Sequence, residues 1–210
     1  MKTIDPSKQS QKDNYKMLIG SVLPRPIAFV STLSRDGIAN VAPYSFFTAV
    51  SSKPPYICFS PNRRGTDGST KDTLNNILDQ GDFVVNIVSE DIIEKVNNAA
   101  TEFPPTISEF DAVGLTPVPS NLVSAPRVRE SLIHFECRLH KVVEVGPKGP
   151  GGGAVVIGEV VLFHVADELL KDGRIDIHKL KPVGRLAGLD YAKLGEIFSL
   201  QRMPYKSDDG

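Results

Sequence analysis

The apolar and β-branched residues of this chain come in short runs, and that feature most limits what it can fold into. The runs cover 26–33 (PIAFVSTL), 44–51 (YSFFTAVS), 55–60 (PYICFS), 82–88 (DFVVNIV), 132–145 and 154–166. Gly, Pro, Asp and Ser bound them, as expected of strands joined by turns. Helical patterns fall between the runs. Residues 72–81 (DTLNNILDQG) set Leu74, Ile77 and Leu78 on one face, with Gly81 just past the end. Residues 89–100 begin with Glu90 and Asp91, which suit a helix N-terminus. Segments 108–114 and 190–196 read as further single turns or short helices. No period repeats, and no strand–helix alternation with long crossovers is present, which disfavours a doubly wound parallel sheet. The pattern predicts a mainly β (α+β) chain: a Greek-key antiparallel barrel with short peripheral helices. Its 210 residues fit one domain, with 1–14 as an N-terminal arm and 182–210 as a C-terminal extension.

Composition narrows the partners. A formal net charge of −1 gives no positive excess for non-specific binding to nucleic acid or anionic membranes. Cys58 and Cys137 are far apart, each within a strand-like run, so they form no disulfide framework and no CxxC motif. They read as small buried hydrophobes. No apolar run approaches the ~18 residues of a membrane span. The start, MKTIDPSKQSQKDNY, carries no apolar stretch typical of a secretory signal. These features lead to the expectation of a cytoplasmic protein.

Two strands and the loop between them invite closer reading. In IHFECRLHKVVEV, Ile133, Phe135, Cys137 and Leu139 point one way and His134, Glu136, Arg138 and His140 the other. His134 and His140 stand ~20 Å apart on an extended strand, too far to share one metal ion with bonds of ~2 Å. No metal site follows, and the second face reads as a polar outer surface. AVVIGEVVLFHV (154–165) is apolar on both faces apart from Glu159 and His164, so both should be covered. Either a helix of the same chain or a second subunit would do this. GPKGPGGG (146–153) lacks the Lys-Ser/Thr ending of a phosphate loop and reads as a flexible hairpin connection.

The best chemical signal is SPNRRGTDGSTKDTLNNIL, residues 60–78. It passes from a strand end, through a loop with Arg63 and Arg64, into a helix start bearing Ser69, Thr70, Lys71 and Thr73. Unpaired N–H groups and a partial positive charge at that start, joined by three cations, make a seat for phosphate. An ordinary cap on a solvated surface loop explains the same residues. Upstream, Asp36-Gly37 signals a hairpin turn, yet the returning segment carries Pro43, which cannot donate to a ladder. A local stop in pairing there would turn main-chain groups outward. A planar heterocycle, water or a bulged partner strand could then satisfy them.

Several blocks in order carry a resemblance: LIGSVLPRPIAFVSTLSRDG (18–37), NVAPYSFFTAVSSKPP (40–55), SPNRR…STKDTLNNI (60–77), GDFVVNIVSED (81–91), FPPTISEFDAVGLTPVPS (103–120) and PVGRLAGLDY (182–191). Together they resemble the flavin reductase-like, FMN-binding split-barrel family, and most closely the group holding the reductase component of nitrilotriacetate monooxygenase. The resemblance implies a homodimeric split barrel with FMN near the subunit interface; FAD is a second candidate. It implies that Ser31 and Thr32 face the cofactor, and that Pro43, Tyr44, Ser45 and Phe46 run along the isoalloxazine. By the same likeness Ser60, Arg63, Arg64, Lys71 and Thr73 hold the phosphate. Arg185 and Tyr191 would close the pocket or reach a neighbouring subunit; a structural salt bridge for Arg185 and a core position for Tyr191 stay open.

What the resemblance implies for activity is NAD(P)H:flavin oxidoreduction, with reduced flavin supplied to a flavin-dependent monooxygenase. The flavin does the chemistry in that reading, so no catalytic side chain is nominated. Many members carry Gly-Asp-His where this chain has GPKGPGGG, a departure that bears on the nicotinamide side of the site. Two alternatives therefore stand beside the reductase: an FMN-holding electron carrier of flavoredoxin type, and a non-catalytic flavin-binding protein.

Overall fold

The structure, a computed structural model, describes residues 1–204. It begins with a helix the sequence reading did not anticipate, α1 (Gln11–Ser21), within and beyond the stretch read as an arm. Ser10 caps it: its hydroxyl accepts the Asp13 N–H at 3.1 Å and donates to the Asp13 carboxylate at 2.6 Å. Strands β1 (Ala28–Leu33), β2 (Ala39–Tyr44), β3 (Phe47–Ser52) and β4 (Pro55–Phe59) follow. Next come α2 (Asp72–Gln80), β5 (Asp82–Ile87), α3 (Ile93–Asn98) and α4 (Glu109–Val113). A small pair, β6 (Pro117–Val118) with β7 (Arg127–Val128), precedes the long strands β8 (Ile133–Val145) and β9 (Gly153–Val165). Beyond them lie the pair β10 (Leu170–Lys171) and β11 (Arg174–Ile175), helix α5 (Ile177–Leu180), and the pair β12 (Val183–Arg185) and β13 (Tyr191–Lys193). Residues 190–196, expected as a helical turn, thus contain a strand. The last six residues of the proposed C-terminal extension lie outside the described ones.

Seven strands make one antiparallel sheet in the order β2-β1-β5-β8-β9-β4-β3. Its two edges, β2 and β3, are separated in sequence by Ser45 and Phe46 alone. On a flat sheet they would stand roughly 28 Å apart, and so short a link reaches about 11 Å. The sheet is therefore rolled until its edges meet at this end. The Ser60 N–H, donating to the Phe46 carbonyl at 2.9 Å, stitches the end of β4 to that link. Alternate residues of the rolled strands face two cores. Val30, Phe59, Phe83, Val85 and Val156 fill the inside with Leu74 and Ile77 of α2. Phe29 and Val41 face outward onto Ile92, Val96 and Phe110. Leu78, expected beside Leu74 and Ile77, is exposed; Thr73 and Asn76 are buried in its stead. Gly158 leaves room for the Phe83 ring, whose Cζ would stand 2.4 Å from any Cβ there.

Pro43 does not interrupt the ladder. The β1–β2 register runs through it, with Phe29 opposite Pro43 and Ala28 opposite Tyr44. β2 is an edge strand, where a proline whose nitrogen faces outward costs no ladder bond. The Val41 N–H fixes that orientation, because it donates outward to Glu109 at 3.1 Å. Pro43, two residues on, faces the same way, so at this position the edge offers a carbonyl and no donor.

The polar face of β8 is only partly the outer surface expected. Arg138 and His140 are exposed, but His134 and Glu136 are buried. The segment after β6 folds over them. The Glu136 carboxylate accepts the Asn121 and Leu122 N–H groups at 2.8 and 2.6 Å and the His164 Nε2 at 2.6 Å. His134 Nδ1 lies 2.9 Å from Asn86 Oδ1. The β9 face turned away from the core is half-buried along Val155, Ile157 and Val161, whereas Phe163, beyond a bulge and opposite Phe135, is exposed on the other face. Among the described residues no helix covers the Val155–Val161 face fully.

Candidate functional site

Polar groups gather where the two sheet edges meet α2. Lys71 occupies the N-cap position without a side-chain cap bond, and the nine-residue α2 starts behind it. Its ammonium lies 5.9 Å from the centre of the Tyr44 ring. Among the described residues no carboxylate approaches Lys71 Nζ within 4.0 Å, and burial holds its pKa below the ordinary lysine value. The flanking arginines are engaged. Arg64 meets Asp72 at 2.8 Å and Glu102 at 3.9 Å; Arg63 meets Glu144 and the Gly68 carbonyl, both at 3.2 Å. Lys71 is thus the cation of this cluster still without an anion.

Lys71 and Glu102 line two neighbouring spaces. One is a narrow cleft of about 50 Å³ along the β2 edge, lined by Asn40, Pro43, Tyr44, Arg64, Thr73 and Glu109 among others. The Tyr44 hydroxyl is buried there without a hydrogen-bond partner among the described residues. Burial pushes its pKa far up, so it is a neutral donor. The Glu109 carboxylate, raised by burial, accepts Asn40 Nδ2 at 2.8 and 2.9 Å besides the Val41 N–H. The other space is a groove of about 840 Å³, a volume within the ~300–1,000 Å³ common for small-molecule sites. Phe46, Asn62 and Arg63 line one side and Asn14, Tyr15 and Leu18 of α1 the other.

The glycine-rich 146–153 segment is the hairpin connection expected between β8 and β9, and Pro147, Pro150 and Gly151 bring it to the groove's end. A Cβ on Gly68 would come within 2.6 Å of Gly149 Cα, and one on Gly151 within 2.9 Å of Gln11 Cγ. The Arg63 N–H also donates to the Gly152 carbonyl at 2.9 Å. Small residues let the arginine loop, this loop and α1 come together.

A cation beside a helix start, an orphaned tyrosine hydroxyl and a partly apolar groove suit a ligand with a phosphate and a flat ring system. Comparison with known proteins gives the family. The family model for the flavin reductase like domain matches residues 19–180. A protein of Halalkalibacterium halodurans is 48% identical over 200 residues, covering 95% of each chain. The crystal structure of nitrilotriacetate monooxygenase component B from Bacillus cereus superposes with a TM-score of 0.91 at 44% identity, covering 95% of this chain and 98% of that one. The chain belongs to the flavin reductase-like family. The 2-nitrobenzoate 2-nitroreductase NbaA of Pseudomonas fluorescens is also similar, at 32% identity and a TM-score of 0.86 with both chains fully covered. The rolled antiparallel sheet is accordingly the family's split β-barrel.

Within this flavin reductase-like chain, the residues singled out from sequence separate into three groups. Pro43, Tyr44, Arg64, Lys71 and Thr73 line the cleft; Phe46 and Arg63, with Lys71, line the groove. Ser60 stands at the junction through its bond to Phe46. Ser31 and Thr32 stand apart, fully buried in hydrogen-bond networks. Ser31 Oγ donates to the Pro126 carbonyl and accepts Asn86 Nδ2; Thr32 Oγ1 accepts Asn76 Nδ2 and donates to Asn40. Neither reaches the groove. Arg185 and Tyr191 form a third group on β12 and β13. The guanidinium lies 4.3 Å from the Tyr191 ring centre, and the Tyr191 hydroxyl donates to Asn97 at 2.9 Å. Neither lines the groove, and Arg185 forms no salt bridge among the described residues.

Sequence reasoning missed Arg25, Asn40, Glu102, Glu109 and α1. Arg25 is buried, donating to the Ile19, Val22 and Leu186 carbonyls at 2.8–2.9 Å and to Ser45 at 3.3 Å. It thereby ties α1 and the C-terminal hairpin to the link between the sheet edges. A charged residue between Pro24 and Pro26 signalled it, and the Ser10–Asp13 spacing signalled α1.

Proposed function

We propose that this chain binds FMN in the groove and acts as an NAD(P)H:flavin oxidoreductase able to supply reduced flavin to a monooxygenase. Lys71 carries this reading: a partly buried ammonium without a counter-anion, at a helix start beside a groove that fits a small molecule. Lys71 and Arg63 are assigned to the phosphate, with Arg64 and Thr73 supporting them from the cleft and Ser60 holding the loop. Pro43, Tyr44, Ser45 and Phe46 form the rim against which the ring system rests. The open groove leaves FAD as a second candidate. Ser31 and Thr32 act through the networks that hold β1 against α2, and Arg185 and Tyr191 through the hairpin behind Arg25.

When bound, the flavin supplies the hydride-accepting centre, and the protein supplies binding, orientation and electrostatics. Lys71 gives a fixed positive charge that also orients the cofactor. Tyr44, beside Thr73, offers its buried neutral hydroxyl as a donor. Tyr15 and Leu18 on α1 limit water at the open side, where the nicotinamide donor would approach. We further propose a homodimer, supported by the half-buried apolar face of β9, and a cytoplasmic setting; among the described residues no helix is long and apolar enough to cross a membrane. The test is anaerobic mixing of the FMN-loaded protein with NADH or NADPH. Rapid loss of the flavin's visible absorbance with either donor supports the reductase. A second reading, an electron carrier fed by a protein donor, draws on the 146–153 segment having no histidine to offer a nicotinamide. No reduction by either nucleotide, with fast reduction by a ferredoxin-like protein, would move the assignment to that reading.

A further inference from the structure

Exposed large apolar side chains are spread unevenly over this molecule. Half of those among the described residues fall in two stretches, α1 with the two residues after it and residues 189–203. Residues 194–204 have no regular secondary structure and, among the described residues, make no side-chain hydrogen bonds. Leu194, Ile197, Phe198, Leu200 and Met203 are all exposed along it, the last three to 74%, 84% and 94%. Five large apolar side chains in ten residues are too many for a solvated tail, which is normally polar.

We infer that residues 194–203 are an exchanged arm, laid in the assembled protein on the α1 face of a second copy of this chain. This rests on the dimer reading above and not on the flavin. Three features select a second copy as the occupant. First, the arm starts next to the face it would cover on its partner. Arg25 hydrogen-bonds Arg185 of β12 through the backbone at 3.0 and 2.8 Å, while its side chain holds the C-terminal end of α1. The exposed Leu18, Val22 and Leu23 therefore sit beside the arm's root. A two-fold pairing of this face with itself puts each arm on the other's stripe, the self-complementary arrangement of an isologous contact. Second, the ten residues after Lys193 span about 33–36 Å when extended, enough to cross onto a neighbouring subunit. Third, each such side chain carries on the order of 100 Å² of apolar surface, so two arms bury on the order of 1,000 Å², the lower bound for a specific interface. Because α1 lines the groove, the arm would also fix the wall bearing Tyr15 and Leu18 from outside.

The sequence contains no tryptophan, so Phe198→Trp places a single reporter on the arm. Sedimentation and emission are measured on the full chain over a dilution series. The expected result is a dimer with blue-shifted, acrylamide-shielded emission that turns red in step with dissociation. Phe198→Asp combined with Leu200→Asp should raise the dimer dissociation constant at least about tenfold. A dimer whose tryptophan is red and freely quenched overturns the exchange while leaving the dimer standing. Blue emission that persists in the monomer overturns it too, since the arm would then fold back on its own subunit. A protein that is monomeric throughout removes both the arm exchange and the dimer, without touching flavin binding.

Discussion

Lys71→Met separates the cost of the groove's cation from its use. The substitution keeps most of the apolar stem and removes the charge. Arg63 and Arg64 remain held by Glu144 and Asp72 at 3.2 and 2.8 Å, so neither is free to replace it without breaking an existing pair. A charge-assisted hydrogen bond contributes about 1.5–3 kcal/mol, so the FMN dissociation constant should rise about 10- to 150-fold in a fluorescence titration. Riboflavin, which lacks the phosphate, should bind the variant and the parent alike. Stability should move the other way. Burial lowers the Lys71 pKa from 10.5 in the folded protein, so between the lowered value and 10.5 the unfolded chain holds a proton that the folded chain lacks. Stability without ligand therefore rises with pH through that window, and below it the buried charge is a standing cost. Lys71→Met relieves that cost and should raise the melting temperature of the ligand-free protein. FMN affinity in the parent should fall as pH climbs through the same window. Unchanged FMN affinity, or an equal loss for riboflavin and FMN, would refute the phosphate assignment.

Other consequences can be checked by denaturation and titration. Arg64→Ala leaves Asp72 unopposed at the start of α2 and should weaken FMN binding by about 1–3 kcal/mol in the same titration. Gly158→Ala drives a methyl into the Phe83 ring and should cost about 1–3 kcal/mol in urea unfolding. Arg25→Ala strands the Ile19, Val22 and Leu186 carbonyls and should cost about 3 kcal/mol or more by the same method. His134, whose pKa burial lowers from 6.5 to about 4, stays neutral in the folded protein while unfolded chains take up a proton. Stability should therefore fall by on the order of 3 kcal/mol between pH 6.5 and 4, and His134→Gln should flatten that part of the profile.

Local chemistry made much of this molecule legible. The strand runs at 82–88, 132–145 and 154–166 were readable because β-branched and aromatic residues alternate between clear turn signals. Helix α2 was marked by its periodicity and by Gly81. What the sequence hid was set by contacts between distant segments. His134 and Glu136 look like a solvent face, and only the Asn121–Leu122 backbone folding over them makes burial tolerable. Pro43 looks like a ladder-breaker, because no local pattern says that β2 is an edge whose outer side meets Glu109 from α4. In the site, the loop and helix start around Lys71 could be read from spacing. The wall supplied by α1 and the 146–153 hairpin could not, since it depends on Gly151 meeting Gln11 across the fold. Ser31 and Thr32 lie in a stretch whose likeness to the family pointed to the cofactor, and the sequence alone did not show the buried networks that hold them.

A crystal structure of the protein with FMN tests the central claim most directly. The account predicts the phosphate within about 3 Å of Lys71 Nζ, with the ring system against Phe46 in the groove below α1. Flavin density away from the meeting point of the two sheet edges, with Lys71 still unpaired, would contradict it.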